Sequence, residues 1–138
     1  MADQLQRRRL NFELRELLYV ALGAVPGALL RWQTSVHLGP YLGGSAGADL
    51  LVNLAGCFIL GILTGPIPKR TSLLLTFGIG FCGCLTTFSS WILDVVKLIQ
   101  AGRLDLGLVL IIISITFGLL SAALGRALCK LLSHMHYD

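Results

Sequence analysis

Gly80-Phe81-Cys82-Gly83-Cys84-Leu85-Thr86-Thr87-Phe88-Ser89-Ser90-Trp91 sets glycines and hydroxyl side chains inside an apolar run that is otherwise long enough to cross a bilayer. Backbone amides and carbonyls in lipid must find partners, so a helix interrupted at membrane depth persists only where protein or a water-filled cavity satisfies the freed groups. Interrupted helices of this kind commonly bind ions. The fold is therefore read as that of a membrane protein, with its chemistry gathered at this interruption.

The composition agrees. Of 138 residues, 55% are hydrophobic and 13% charged, against about 25% charged in an ordinary globular domain, and the mean hydropathy is +0.80. Four apolar stretches stand out, Leu17 to His37, Leu50 to Ile67, Ser72 to Leu93 and Leu106 to Gly125, each close to the ~20 residues that span a bilayer. The expected division is a charged tail over residues 1–16, one four-helix transmembrane domain over 17–128, and a C-terminal tail over 129–138. The tail should form a short interfacial helix, since Leu10, Leu14, Leu17 and Leu18 share a face. Arg7, Arg8 and Arg9 before an apolar segment imitate a signal peptide, but no small-residue cleavage site follows. The first span is read as retained, with a kink at Pro26.

Basic residues flank the spans and form no basic face, which excludes nucleic acid as a partner. Arg7, Arg8, Arg9, Arg15, Lys69, Arg70, Arg126 and Lys130 fall on the side of the termini, and Arg31, Lys97 and Arg103 on the other. The positive-inside rule then makes the termini cytoplasmic. Cys57, Cys82, Cys84 and Cys129 make no Cys-x-x-Cys pair and read as small packing residues. His37, His134 and His136 lie at membrane edges or in the tail, without the converging ligands that a metal site needs.

Leu38 to Gly47, Pro66 to Arg70 and Gln100 to Arg103 form the connections, none long enough for a soluble domain. No internal repeat is present, so the two halves used by many transporters would have to come from a second chain. Gly23 and Gly27, Gly56 and Gly61, and Gly118 and Gly125 suit close helix contact.

Against this background a few residues can carry chemistry. Asn53 lies within the second span, where an amide is costly unless it is bonded; interhelical glue is the competing reading. If the third helix breaks between Gly83 and Thr86, their carbonyls lose their intrahelical donors and suit a small hard cation such as Na⁺. Phe88 and Trp91, three apart, should share a face, as core-packing pairs also do. Thr87, Ser89, Ser90, Ser114 and Thr116 offer hydroxyls to an anion or to their own helices. No acidic residue falls in the middle of a span, whereas proton-coupled transport needs a titratable group there. Passive permeation is favoured, and the chain is not expected to be an enzyme.

Gly-Phe-Cys-Gly-x-x-Thr-Thr-Phe-Ser-x from Gly80 to Ser90, Val-Asn-Leu-x-Gly-Cys-Phe around Asn53 and Gly-Ala-x-x-Arg-Trp around Arg31 together resemble the Fluc (CrcB) fluoride channels over nearly the whole chain. The resemblance implies an all-α membrane protein of four transmembrane helices with a broken third helix, paired as an antiparallel dual-topology dimer in the plasma membrane. It also implies a structural Na⁺ between the two copies, held by backbone carbonyls of Gly83 and Thr86, with Asn53 and Phe88 in the fluoride pore. Arg31 matches the arginine closing the first helix. Physically, a strongly hydrated fluoride ion needs close donors in place of water: the Asn53 amide, hydroxyls such as Thr87, Ser90 or Ser114, and an aromatic ring edge.

Two departures stand out. Trp91 occupies the place of a second pore phenylalanine and brings an indole donor. Asp49, where the family more often has threonine, puts a negative charge near an anion's route and should slow its passage unless Arg31 or another basic residue pairs with it. Eight basic residues against three also favour one orientation, which suits a homologous partner of opposite bias; an identical partner is kept as the first expectation. The expected function is passive export of cytoplasmic fluoride, reducing its toxicity. The competing classes are a small multidrug-resistance-type transporter, which would need a glutamate absent from Leu17 to Leu30, and a non-conducting assembly subunit.

Overall fold

The computed structural model describes residues 2–65 and 71–134. The expected second connection, Pro66 to Arg70, and His136 lie outside the described residues. Among the described residues the chain is helical and contains no strand. Helix α1 is Ala2–Leu38, followed by a 3₁₀ turn at Gly39–Tyr41; α2 is Ser45–Leu63. Residues 71–85, here α3, combine an α-helical turn at Thr71–Leu73, a π-helical stretch at Leu74–Cys82 and a last turn at Gly83–Leu85. Helix α4 is Ser89–Gln100 and α5 is Leu104–His134.

Among the described residues, three segments are long and apolar enough to cross a membrane: Ser45–Leu63, Thr71–Gln100 and Leu104–Ser133. Helix α1 has the length but joins a charged first half to an apolar second half, and it continues without a break through residue 16 and through Pro26. Its exposed Arg9 and Glu13 side chains approach to 3.5 Å one turn apart, an arrangement that adds a few tenths of a kcal/mol to a helix. Helix α5 likewise runs past residue 128 to His134.

The connections turn where glycine allows. Gly43 (φ 79°) and Gly44 (φ 104°) carry the chain into α2, and Gly102 (φ 74°) carries it from α4 to α5, a backbone region that side chains with a Cβ rarely enter.

Close approach explains several of the other glycines. A Cβ on Gly23 would run into the Thr76 carbonyl and one on Gly27 into that of Phe81, while Gly80 faces the Val20 carbonyl, so α1 and α3 lie backbone against backbone. Helices α2 and α5 repeat the pattern, Gly61 against the Ala122 carbonyl and Gly125 against that of Phe58. Small residues permit such contact where apolar side chains gain little by leaving lipid. The Ser121 hydroxyl adds a bond to the Leu54 carbonyl at 2.8 Å.

The interior is thin. Ala48, Val52, Cys82, Leu85, Trp91, Val95 and Cys129 form it, while Leu22, Ile112 and Leu119 are among many large apolar side chains that remain exposed. An exposed apolar surface of this extent belongs in lipid or against another subunit.

Candidate functional site

The glycine- and hydroxyl-rich stretch of the sequence is where the helix stops and restarts. Thr86 N–H still donates to the Cys82 carbonyl at 3.0 Å, and the Thr86 hydroxyl reaches the same carbonyl at 2.9 Å. The backbone then turns extended at Thr86 (φ −74°, ψ 154°), and helix resumes at Ser89.

In an uninterrupted helix, Thr87 N–H would donate to the Gly83 carbonyl and Ser90 N–H to the Thr86 carbonyl. Both donors are diverted. Thr87 N–H goes to Asn53 Oδ1 at 2.7 Å, and Ser90 N–H goes to Thr87 Oγ1 at 3.4 Å. The Gly83 and Thr86 carbonyls are thus among those at the interruption that lose their helical donors. Gly83 is also open: a Cβ built on it meets nothing within 4 Å.

Asn53 completes a two-point clamp, its Nδ2 donating to the Thr87 carbonyl at 2.9 Å. From Thr87 a hydroxyl relay continues, Thr87 Oγ1 lying 3.1 Å from Ser90 Oγ and the Ser90 hydroxyl donating to Asp49 Oδ2. Asp49 is one helical turn before Asn53, on the same face of α2, and is only 5% exposed. Its hydrogen-bond partner is Ser90, and among the described residues no ion pair joins it to Arg31. Arg31, half-exposed on α1, is not drawn into this cluster.

Phe88 and Trp91 meet, with ring centroids 5.5 Å apart and planes inclined by 46°, but their environments differ. Phe88 is 71% exposed and Trp91 8%. Helix α5 covers Trp91 and engages it, the indole N–H donating to Ser114 Oγ at 2.9 Å.

A second polar cluster went unread in the sequence. Asp94, expected at the flank of the third connection, lies inside α4 and is 7% exposed. Its Oδ1 accepts from the Ser45 hydroxyl at 2.9 Å and from Lys97 Nζ at 3.2 Å, while its Oδ2 is buried without a hydrogen-bond partner among the described residues. The three-residue spacing of Asp94 and Lys97 was the available signal; the pairing with Ser45 depends on how α2 meets α4. No group of three or more His, Cys, Asp or Glu among the described residues can hold a metal, so a cation here would rest on backbone oxygens.

Known proteins resemble this chain in sequence over most of its length. The profile of the CrcB-like protein, Camphor Resistance (CrcB) family matches residues 18–126. The chain is 51% identical over 126 residues to "Fluoride-specific ion channel FluC 2" of Synechococcus sp. (strain CC9902), covering 91% of this chain and 87% of that protein. It is 50% identical over 129 residues to "Fluoride-specific ion channel FluC 2" of Parasynechococcus marenigrum (strain WH8102), covering 93% and 89%. The same Parasynechococcus strain has a "Fluoride-specific ion channel FluC 1", 37% identical over 116 residues, covering 82% and 92%. A profile match from the apolar half of α1 to near the end of α5, through Asn53 and the interruption, settles the kinship: the chain belongs to the CrcB family, a family of channels and not of enzymes.

Proposed function

We propose that the chain is a fluoride-selective ion channel that lets cytoplasmic fluoride leave across the plasma membrane down its gradient and so reduces its toxicity. The observation that carries the proposal is the Asn53–Thr87 clamp at the interruption, taken with relatives named as fluoride-specific channels. The clamp supports the reading because Asn53 replaces the lost helical partners of Thr87 at a depth where unpaired backbone groups are costly.

The groups around it are ones that fluoride chemistry requires. The Asn53 Nδ2 keeps a second N–H beyond the one given to Thr87. Ser114 accepts from Trp91 and so keeps its own hydroxyl proton to donate. The exposed Phe88 ring offers a positive edge. Larger chloride would not fit donors spaced for fluoride.

The working form we propose is two four-span chains inserted antiparallel, the first span being the apolar half of α1 and the third broken at residues 86–88. The Gly83 and Thr86 carbonyls, relieved of their helical donors, fit a structural Na⁺ between the chains. Such an ion supplies a fixed positive field that favours a nearby anion.

An identical second chain is the simplest partner. A related chain of opposite orientation is the second reading, favoured by eight basic residues against three about the spans and by FluC 1 and FluC 2 relatives in one strain. The test is fluoride efflux from liposomes holding this chain alone, with chloride efflux followed in parallel. Fluoride release without chloride release supports a selective channel of one chain type. Release only after adding a FluC 1-type relative supports the mixed pair, and release of neither ion in either case refutes the proposal.

A further inference from the structure

The relay Thr87–Ser90–Asp49 has a direction, and the direction is set by its last member. An ionised carboxylate only accepts hydrogen bonds, whereas a hydroxyl has one proton to give. The Ser90 proton is given to Asp49. Ser90 Oγ therefore enters its contact with Thr87 Oγ1 as the acceptor, and Thr87 must be the donor. Thr87 Oγ1 in turn accepts the Ser90 backbone N–H. Both hydroxyl protons consequently point along the relay toward Asp49, and neither is free for an anion. The carboxylate is 5% exposed, so its charge is poorly screened and acts on any anion beside Asn53, one turn along the same face of α2. The charged groups on the packed elements do not offset it through contact: on α4, Lys97 is engaged with Asp94 at 3.2 Å, and Arg103, before α5, lies 3.7 Å from Asp105.

We propose that Asp49 is a closing residue: by drawing the Ser90 and Thr87 hydroxyl protons to itself, it denies fluoride the hydroxyl route beside Asn53 and limits conduction through this chain. The proposal rests on the fluoride-channel reading and adds to it a specificity-determining residue. Its chemistry is simple. An amide or hydroxyl in place of the carboxylate can donate to Ser90 Oγ, which lets the Ser90 proton turn outward, and it removes the opposing charge.

The experiment compares wild type, Asp49→Asn and Asp49→Ser, each purified, shown to be monodisperse by gel filtration and reconstituted for fluoride and chloride efflux. Two replacements of different shape guard against one that fails to fold. Fluoride efflux is expected to rise at least about ten-fold in both, the effect of one hydrogen bond to a charged group, with chloride still retained. Adding Ser90→Ala to Asp49→Asn should abolish the gain, because the gain depends on the liberated hydroxyl; a merely structural Asp49 would not produce that dependence. Wild-type fluoride efflux left unchanged or lowered by both replacements overturns the closing role and leaves the channel reading standing. Folded wild type and variants that all fail to release fluoride, both alone and with a FluC 1-type relative added, overturn both.

Discussion

Asn53 holds the Thr87 peptide by both of its polar atoms: Thr87 N–H donates to Oδ1 at 2.7 Å, and Nδ2 donates to the Thr87 carbonyl at 2.9 Å. One side chain of α2 thus substitutes for two helical partners at the point where the path from α3 to α4 leaves the helix. The clamp is why the interruption sits after Leu85 and not elsewhere in the glycine-rich stretch. The same amide retains one N–H, the donor that the proposed fluoride path would use.

Asn53→Asp keeps an acceptor for Thr87 N–H but sets a carboxylate oxygen against the Thr87 carbonyl and removes the spare donor. The lost pairing should cost about 1–3 kcal/mol of stability, and fluoride efflux should be abolished. A fluoride electrode on liposomes measures the second effect and thermal unfolding in detergent the first. Wild-type efflux in a folded variant would remove Asn53 from the path and return it to interhelical glue.

Much of this was legible before the structure. The glycine- and hydroxyl-rich stretch pointed to the region, although Gly83 itself lies in the last helical turn and the backbone leaves the helix only at Thr86, and the Gly102 turn declared itself through its composition. What remained hidden depends on how one helix is rotated against another. Asp49 and Ser90 are 41 residues apart, and no periodicity says that their side chains meet. Three-residue spacing put Phe88 and Trp91 side by side, correctly, but could not say that α5 would cover Trp91 and leave Phe88 exposed. The charge pattern of residues 1–16 reports exposure, whereas helical continuity from Ala2 to Leu38 is a backbone property to which charge is indifferent.

The two kinds of glycine should respond differently to a side chain. At Gly23 a Cβ would meet the Thr76 carbonyl, a backbone atom that cannot move aside, whereas at Gly83 it meets nothing within 4 Å. Gly23→Val should therefore separate α1 from α3 and yield aggregated protein on gel filtration. Gly83→Val should leave each chain folded but lose Na⁺-dependent fluoride efflux. Unaltered Na⁺ dependence in Gly83→Val would take Gly83 out of the cation site.

Phe88 contributes little to the interior of its own chain, being 71% exposed. Phe88→Ala should accordingly destabilise the folded chain by less than about 1 kcal/mol, well short of the ~3–5 kcal/mol typical of a buried phenylalanine, as thermal unfolding in detergent would show. Fluoride efflux should fall by at least about ten-fold, the scale of a lost ring-edge contact in a dry path. A large loss of stability with unchanged efflux would assign the ring to packing.

Trp91 presents the opposite case, a buried ring whose polar atom is already spoken for. Trp91→Phe keeps most of the apolar volume beside Phe88 and deletes only the donor to Ser114. Stability should fall by about 1 kcal/mol, the usual net worth of one neutral hydrogen bond. Fluoride efflux should stay within about three-fold of wild type, because the Ser114 hydroxyl proton, the part an anion can use, is not the part that Trp91 occupies. Efflux reduced much further in a folded Trp91→Phe variant would place the indole N–H itself in the ion's path, with its bond to Ser114 broken during conduction.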